Sequence, residues 1–209
     1  MRRFSRIFAW TTLFFVAGAV LFFTKAAALP YKVAWPVLLL SLATFLSRRR
    51  ELLPFGFAFL FSAAGDAVGA RGLFIPQMAF FALAHVAYVC WFLPRARRRL
   101  RAVSQAVTVP LLVFLFAAIV PEAPFPAERI GVAVYGLVIA AMLYSALQYD
   151  GACAAGFRCA ALLFVFSDAV IAWNRFIGPV PARTWIVMIT YYLAQYLFFR
   201  FVHGEFCHT

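Results

Sequence analysis

Two aspartates lie inside long apolar runs of the sequence, where a charged group is poorly solvated. Asp66 lies in FLFSAAGDAVGA (59–70) and Asp168 in LLFVFSDAVIAWNRF (162–176). An acid near the bilayer centre costs about 3 kcal/mol on insertion scales, so it is kept where it faces a cavity or a partner. When two carboxyl groups lie in different surroundings, one can act as general acid and the other as general base. The sequence therefore predicts a functional site with two carboxyl groups inside the membrane.

The alternative is structural: each acid simply pairs with a buried base such as His85 or Arg175. An internal similarity favours the functional interpretation. The segment around Asp66 resembles the segment around Asp168, and LAHVAY (83–88) resembles LAQYLF (193–198), which aligns His85 with Gln195. Because the shared positions are the polar ones, we hypothesise two four-helix repeats of the same orientation.

Further polar side chains fall at similar expected depths. At a rise of 1.5 Å per residue, His85, Asp168 and Tyr191 are expected roughly 12–14 Å from the outer ends of their helices, and Asp66 roughly 6–8 Å. These residues would therefore share the outer half of the bilayer. The candidate supporting residues are His85, Tyr88, Ser167, Asn174, Arg175, Tyr191, Tyr192 and Gln195.

Two aromatic residues near the ends of predicted spans receive a simpler interpretation. Tyr135 and Trp185 are expected to be anchors at the membrane interface, where such rings are enriched. Asn174 and Arg175 lie two turns beyond Asp168 and suit an anionic group near that interface. The four cysteines show no paired spacing and are interpreted as small apolar side chains.

The elements that must position these side chains are apolar helices. Of the 209 residues, 66% are hydrophobic and 12% charged, and the mean hydropathy is +0.92, far from the values of a soluble domain. Segments of roughly 20 apolar residues cross the hydrocarbon core. We expect an all-α integral membrane protein, one polytopic domain over residues 1–209 with eight transmembrane helices. The predicted spans are 7–24, 33–47, 54–70, 75–93, 103–120, 129–149, 157–175 and 184–202.

The basic residues predict the orientation. With the N-terminus inside, the inner segments hold 13 of the 19 Lys and Arg residues, which satisfies the positive-inside rule. Both termini are therefore expected to be cytoplasmic. The same clustering in loops accounts for the net charge of +12, so we expect no binding of nucleic acid. The inner residues are Arg2, Arg3, Arg6, Arg48, Arg49, Arg50, Arg95, Arg97, Arg98, Arg99, Arg101, Arg158 and Arg200.

Four stretches together resemble the YhhN/TMEM86 family of lysoplasmalogenases: GDAVGA, FALAHVAYV, LLFVFSDAVIAWNRF and MITYYLAQYLF. The resemblance runs from about the second helix to the C-terminus. It implies hydrolysis of the vinyl ether bond of a lysoplasmalogen, an sn-1 alkenyl glycerophospholipid without its sn-2 acyl chain. The implied products are a fatty aldehyde and glycerophosphoethanolamine or glycerophosphocholine, and the implied catalytic residues are Asp66 and Asp168.

Hydrolysis of a vinyl ether is acid chemistry: protonation of the β-carbon gives an oxocarbenium ion, and water then adds. Because apolar surroundings favour a neutral carboxyl group, Asp168 is predicted to donate the proton. Asp66, nearer the wet end, would be the ionised partner adjusted by His85, although the reverse assignment stays open. Asn174 and Arg175 would hold the lipid phosphate. We expect a lysophospholipid substrate, contact with membrane lipids, no metal or cofactor, and location in a bacterial cytoplasmic membrane.

Two other functions compete with hydrolysis. A proton-coupled transporter of a small or amphipathic substrate would also use repeated halves and intramembrane acids, although helices 3 and 7 lack clear Gly or Pro breaks. An intramembrane aspartyl protease would need a GxGD motif, and Ala63 occupies the first glycine position of AAGD. The hydrolase interpretation is therefore preferred.

Overall fold

The chain folds into α-helices. The computed structural model describes residues 2–24 and 31–205, and within these ranges it contains eight α-helices and no strand. A single antiparallel bridge joins Ala96 and Tyr149. The predicted all-α fold is confirmed. The helices are α1 (Arg2–Phe23), α2 (Trp35–Leu46), α3 (Leu53–Gly69), α4 (Phe74–Phe92), α5 (Arg101–Phe114), α6 (Pro126–Leu147), α7 (Ala154–Phe176) and α8 (Arg183–Glu205).

Six helical segments of the described chain, those built around α3 to α8, are long and apolar enough to cross a membrane. The apolar part of α1 is Phe8–Phe23, and α2 has 12 residues. At 1.5 Å per residue α2 spans about 18 Å, less than the ~30 Å of a hydrocarbon core. The helices are therefore those of an integral membrane protein, while the eight-span count stays a prediction. The cytoplasmic location of both termini also stays a prediction, and residues 206–209 lie outside the described ranges.

Proline and left-handed residues account for several helix boundaries. Pro36, Pro54 and Pro126 lie in the first turns of α2, α3 and α6, where a missing N–H is not needed. The turn between α3 and α4 uses Gly72 at φ 74°, a left-handed conformation that glycine adopts without strain. These residues keep the connections between helices short.

The chain forms two compact units, Met1–Ala87 and Tyr88–Thr209. In the first unit, α2 packs against both α1 and α3. The Ser41 hydroxyl donates to the carbonyl oxygen of Gly56 over 2.9 Å, which ties α2 to α3. A Cβ at Gly56 would lie 2.7 Å from the ring of Phe45, so any larger residue there would force this ring or the helices to shift.

In the second unit, α5, α6, α7 and α8 pack as sequential neighbours, and α7 and α8 have the most extensive contact. α5 contains Pro110 and continues into a π-helical turn, Leu115–Ile119. The side chain of Leu115 packs where a Cβ on Gly136 of α6 would be. The sequence did not predict this turn, a kind of helix distortion often found at functional sites.

The start of α7 is tied to the end of α8 by one carboxylate. Glu205 accepts hydrogen bonds from the backbone N–H groups of Ala152 and Cys153, at 3.2 and 2.9 Å. Burial, and then hydrogen bonding to Glu205, raise the pKa of the Cys153 thiol and the pKa of the Tyr149 hydroxyl. Glu205 therefore acts as an acceptor for the first turn of α7.

We expect Glu205→Ala to lower the free energy of unfolding of the detergent-solubilised protein by about 1 kcal/mol, the typical effect of losing a helix cap. Thermal unfolding measures this change. Glu122→Ala is the matched control, because Glu122 is exposed and lies in the turn before α6. Equal unfolding temperatures for the two variants would show that the Glu205 contact contributes nothing.

Candidate functional site

The centre of the candidate site is a hydrogen bond between α6 and α7. The hydroxyl of Tyr135 donates to Oδ2 of Asp168 over 2.5 Å. Tyr135 lies nine residues after Pro126, about 13 Å along α6 at 1.5 Å per residue. The expectation that it is an interface anchor is therefore wrong: its hydroxyl bonds to the acid that the sequence singles out.

A second pair joins the same two helices. Arg175 binds Oε1 of Glu128 through Nη2 over 2.7 Å, and their side chains are 39% and 13% exposed, respectively. Glu128 precedes Tyr135 by seven residues in α6, and Arg175 follows Asp168 by seven residues in α7. Seven residues are two turns, about 10 Å of rise. The two pairs therefore lie along one seam between antiparallel helices.

Asn174 closes the turn that leads from α7 to α8. Its Oδ1 accepts a hydrogen bond from the backbone N–H of Val180 over 3.1 Å. Its amide nitrogen is therefore the group that can donate to a ligand. Next to it, the ring of Trp173 stacks on Phe114 of α5, with ring centroids 6.1 Å apart and planes at 6°.

The structure brings together two other predicted supporting residues, Tyr88 and Gln195. The Tyr88 hydroxyl donates to Oε1 of Gln195 over 2.8 Å, and both side chains are fully buried. The Tyr88 ring also stacks on Phe198, with centroids 4.4 Å apart. Within residues 2–24 and 31–205, Nε2 of Gln195 has no hydrogen-bond partner. Tyr88 and Gln195 therefore form a buried polar contact among aromatic side chains of α4 and α8.

The remaining candidates of the second unit are buried in that core. Ser167 donates its hydroxyl to the carbonyl oxygen of Phe164 over 2.8 Å, so this group is used within α7 itself. Tyr191 packs edge-on against Phe164, and its ring centroid is 5.5 Å from that of Tyr192. These contacts support α7 beside Asp168 and give Ser167 a structural role.

Asp66 and His85 belong to the first unit. Asp66 is 6% exposed in α3, and His85 is fully buried in α4. A Cβ at Gly65 would lie 2.9 Å from the Phe81 ring, so glycine lets α4 approach α3 beside Asp66. Asp66 lies three residues before the end of α3, about 4–5 Å of rise, and His85 about 16 Å into α4. These depths differ from the expected values, and the convergence of Asp66 with Asp168 stays a prediction.

The burial of the two acids also differs from expectation. The sequence suggested that Asp168 is the deeper acid, in dry surroundings, and that Asp66 lies nearer the wet end. Asp66 lies three residues from the end of α3 and Asp168 eight residues from the end of α7, in agreement with that order. Asp66 is buried, whereas Asp168 is only partly buried. The choice of proton donor between the two acids stays a prediction.

Sequence reasoning missed Tyr135 and Glu128 as parts of the site. A signal was present, because both pairs are spaced by seven residues in opposite chain directions. Pairing α6 and α7 as antiparallel neighbours would have aligned Tyr135 with Asp168 and Glu128 with Arg175.

Comparison with known proteins identifies the family. The YhhN family model matches residues 27–202. The chain belongs to the YhhN family. Lysoplasmalogenase TMEM86B of Homo sapiens is 38% identical over 144 residues, which cover 67% of this chain and 59% of the human protein. Lysoplasmalogenase TMEM86A of Bos taurus is 35% identical over 150 residues, covering 66% and 60%. The corresponding TMEM86B of Rattus norvegicus is 33% identical over 142 residues, covering 65% and 55%.

This YhhN-family chain thus spans less than two thirds of the length of the curated relatives it matches. No solved structure is detectably similar to it. The family membership predicted from the sequence motifs is confirmed.

Replacing Tyr135 by Phe removes the hydroxyl that bonds to Asp168 and keeps the ring. We expect kcat of the hydrolysis implied by the family resemblance to fall about 10- to 100-fold, because a hydrogen bond to a charged group contributes about 1.5–3 kcal/mol. KM should change little, since Tyr135 acts through Asp168. Steady-state kinetics on purified protein give both constants.

Tyr144→Phe is the matched control for this variant. Tyr144 is on the same helix, and its hydroxyl lies 3.3 Å from Nε of Arg101 rather than beside an aspartate. If Tyr135→Phe and Tyr144→Phe had the same kcat, the bond to Asp168 would have no role in the reaction.

Proposed function

We propose that this protein is a lysoplasmalogenase that hydrolyses the vinyl ether bond of a lysoplasmalogen to a fatty aldehyde and glycerophosphoethanolamine or glycerophosphocholine. The names of its relatives at 31–38% identity support the activity. The observation that carries the proposal is the Tyr135–Asp168 hydrogen bond, in which a carboxyl group of an apolar, membrane-length helix accepts from a tyrosine hydroxyl. Arg175, two turns along α7, supplies a cation for the lipid phosphate.

The bond from Tyr135 suggests a role for Asp168 in the reaction. The Tyr135 hydroxyl donates to Oδ2 of Asp168 over 2.5 Å, so this carboxyl oxygen is a hydrogen-bond acceptor in the structure. Asp66, the other predicted acid, is 6% exposed in α3. Because Asp168 accepts the bond from Tyr135, we assign the role of general base to Asp168 and proton donation to Asp66, the reverse of the preferred sequence expectation. The prediction that both act on one substrate comes from the sequence.

The reaction then proceeds with balanced proton transfers. The proton of Asp66 bonds to the β-carbon of the vinyl ether, which leaves an oxocarbenium ion that the Asp168 carboxylate stabilises. Water bonds to the α-carbon while Asp168 takes a proton from that water molecule. When the hemiacetal breaks, Asp168 returns that proton to the glycerol oxygen, and Asp66 takes the hydroxyl proton. The net change is addition of one water, with both groups restored.

The other predicted residues have supporting roles in this scheme. Arg175 and the amide nitrogen of Asn174 bind the phosphate, and the apolar interior receives the alkenyl chain. His85 adjusts the surroundings of Asp66. Eight spans in one polytopic domain, cytoplasmic termini and a bacterial cytoplasmic membrane complete the proposal. The aromatic side chains of Tyr88, Tyr191 and Tyr192, with Ser167 and Gln195, support α7 from α4 and α8.

The helix geometry does not favour the transporter or the protease. Carrier sites are typically formed by helices interrupted near the membrane midplane, whereas α3 and α7 run unbroken as Leu53–Gly69 and Ala154–Phe176. Proton flux in liposomes without hydrolysis would support transport instead. Cleavage of a peptide by the purified protein would support proteolysis.

We expect purified protein in mixed micelles to release fatty aldehyde from an alkenyl lysophospholipid and to leave the matching acyl lysophospholipid intact. The reason is that only a vinyl ether forms an oxocarbenium ion on carbon protonation. Mass spectrometry of both product classes measures this. Release of fatty acid from the acyl lipid, with no aldehyde from the alkenyl lipid, would assign the protein to the lysophospholipases.

Asp66→Asn and Asp168→Asn should each lower kcat for aldehyde release about 100- to 10,000-fold, the usual contribution of a general acid or base. Asp150→Asn is the control, because Asp150 lies outside the long apolar helices and pairs with Arg99. Size-exclusion profiles check that each variant is folded. If both variants kept full activity, the mechanism with two carboxyl groups would be wrong.

A further inference from the structure

Glu128 is an acidic residue that the proposed reaction does not use, and it lies where the lipid head group would bind. Its Oε1 forms an ion pair with Arg175. Its Oε2 is covered and has no hydrogen-bond partner among residues 2–24 and 31–205. A buried carboxylate oxygen without a donor is unfavourable. The carboxylate therefore has the capacity to bind a second cationic group.

Arg129, next to Glu128 in the sequence, does not provide that second cationic group. Arg129 donates through Nη2 to the carbonyl oxygens of Pro121 and Ala123, at 3.3 and 3.0 Å. It thereby fixes the loop between α5 and α6. The cation facing Glu128 from α7 is Arg175, the same residue that is expected to bind phosphate. A phosphate on Arg175 would thus lie beside the negative charge of Glu128.

A zwitterionic head group removes this conflict. In a phosphoethanolamine or phosphocholine group the nitrogen lies about four bonds from phosphorus, about 5 Å when extended. Its positive end can bind Glu128 while its phosphate binds Arg175, so that four alternating charges lie side by side. The Oε2 atom turns toward the ligand by rotation of the terminal carboxylate, a soft torsion.

The spacing along the seam fits the rest of the substrate. Roughly seven bonds separate phosphorus from the β-carbon of the vinyl ether, about 8 Å in an extended chain. The Glu128–Arg175 pair lies two turns, about 10 Å, from the Tyr135–Asp168 pair. A lipid whose phosphate is at Arg175 therefore places its vinyl ether near Asp168.

We propose that Glu128 and Arg175 form a recognition site for the zwitterionic head group, in which Glu128 binds the ammonium and selects ethanolamine- or choline-bearing substrates over those with a bare phosphate. The inference rests on the proposed hydrolysis of lysophospholipids. The competing explanation is structural, since an acid in the first turn of α6 also interacts favourably with the helix dipole. Substrate selectivity separates the two.

The test compares Glu128→Gln with wild type on two alkenyl substrates, one with phosphoethanolamine and one with phosphate alone. We expect kcat/KM for the ethanolamine substrate to fall at least 10-fold and that for the phosphate substrate to stay equal or rise. Glu128→Asp, which keeps the charge, should recover part of the selectivity. Glu122→Gln is the matched control, because this exposed residue precedes α6, and it should change neither value. Equal losses on both substrates in Glu128→Gln would overturn the proposal.

A binding measurement separates this inference from the proposed reaction. Saturated alkyl ether analogues with the same two head groups cannot be hydrolysed, and the thermal shift that each causes reports binding alone. Wild type should prefer the ethanolamine analogue, and Glu128→Gln should lose that preference even if no substrate is hydrolysed. Absence of any preference in wild type would contradict the recognition site, whatever the outcome of the hydrolysis assay.

Discussion

The structure of the candidate site depends on one constraint: a carboxyl group placed among apolar helices must have a hydrogen-bond donor. For Asp168 that donor is the hydroxyl of Tyr135. A polar group in apolar surroundings without such a partner costs several kcal/mol, so the bond favours the packing in which Tyr135 of α6 faces Asp168 of α7. Gly136 contributes, because its missing side chain lets the π-helical turn at Leu115 lie against α6 next to Tyr135.

That contact fixes the register of two antiparallel helices, and the register orders the site. With Tyr135 opposite Asp168, Glu128 falls opposite Arg175 two turns away. One end of the seam therefore carries charges suited to a polar head group, and the other carries a carboxyl group in apolar surroundings. This order matches an amphipathic lipid, whose phosphate and reactive bond are held a fixed distance apart by its glycerol. The seven-residue spacing of the paired side chains in both helices sets the distance between the charged end and the carboxyl end of the seam.

Much of this was predictable from the sequence, because composition and motif report on single segments. Apolar runs predicted the helices, and the segments around Asp66 and Asp168 predicted the family. Contacts between helices were not predictable in the same way. Tyr135 is one of many aromatic residues in the chain, and only the register of α6 on α7 distinguishes it. The burial of Asp66 likewise depends on Phe81 packing beside Gly65. The length of α2, 12 residues, depends on where the flanking turns form, which its apolar composition does not indicate.

In the proposed mechanism, Asp168 acts as a carboxylate that accepts a hydrogen bond from Tyr135, and Asp66 acts as the neutral acid. Infrared difference spectra between wild type and each variant at neutral pH test this assignment most directly, because a protonated carboxyl group has a carbonyl stretch that a carboxylate lacks. We expect Asp66→Asn to remove such a band and Asp168→Asn to leave it in place. Loss of the band in Asp168→Asn, with retention in Asp66→Asn, would contradict it.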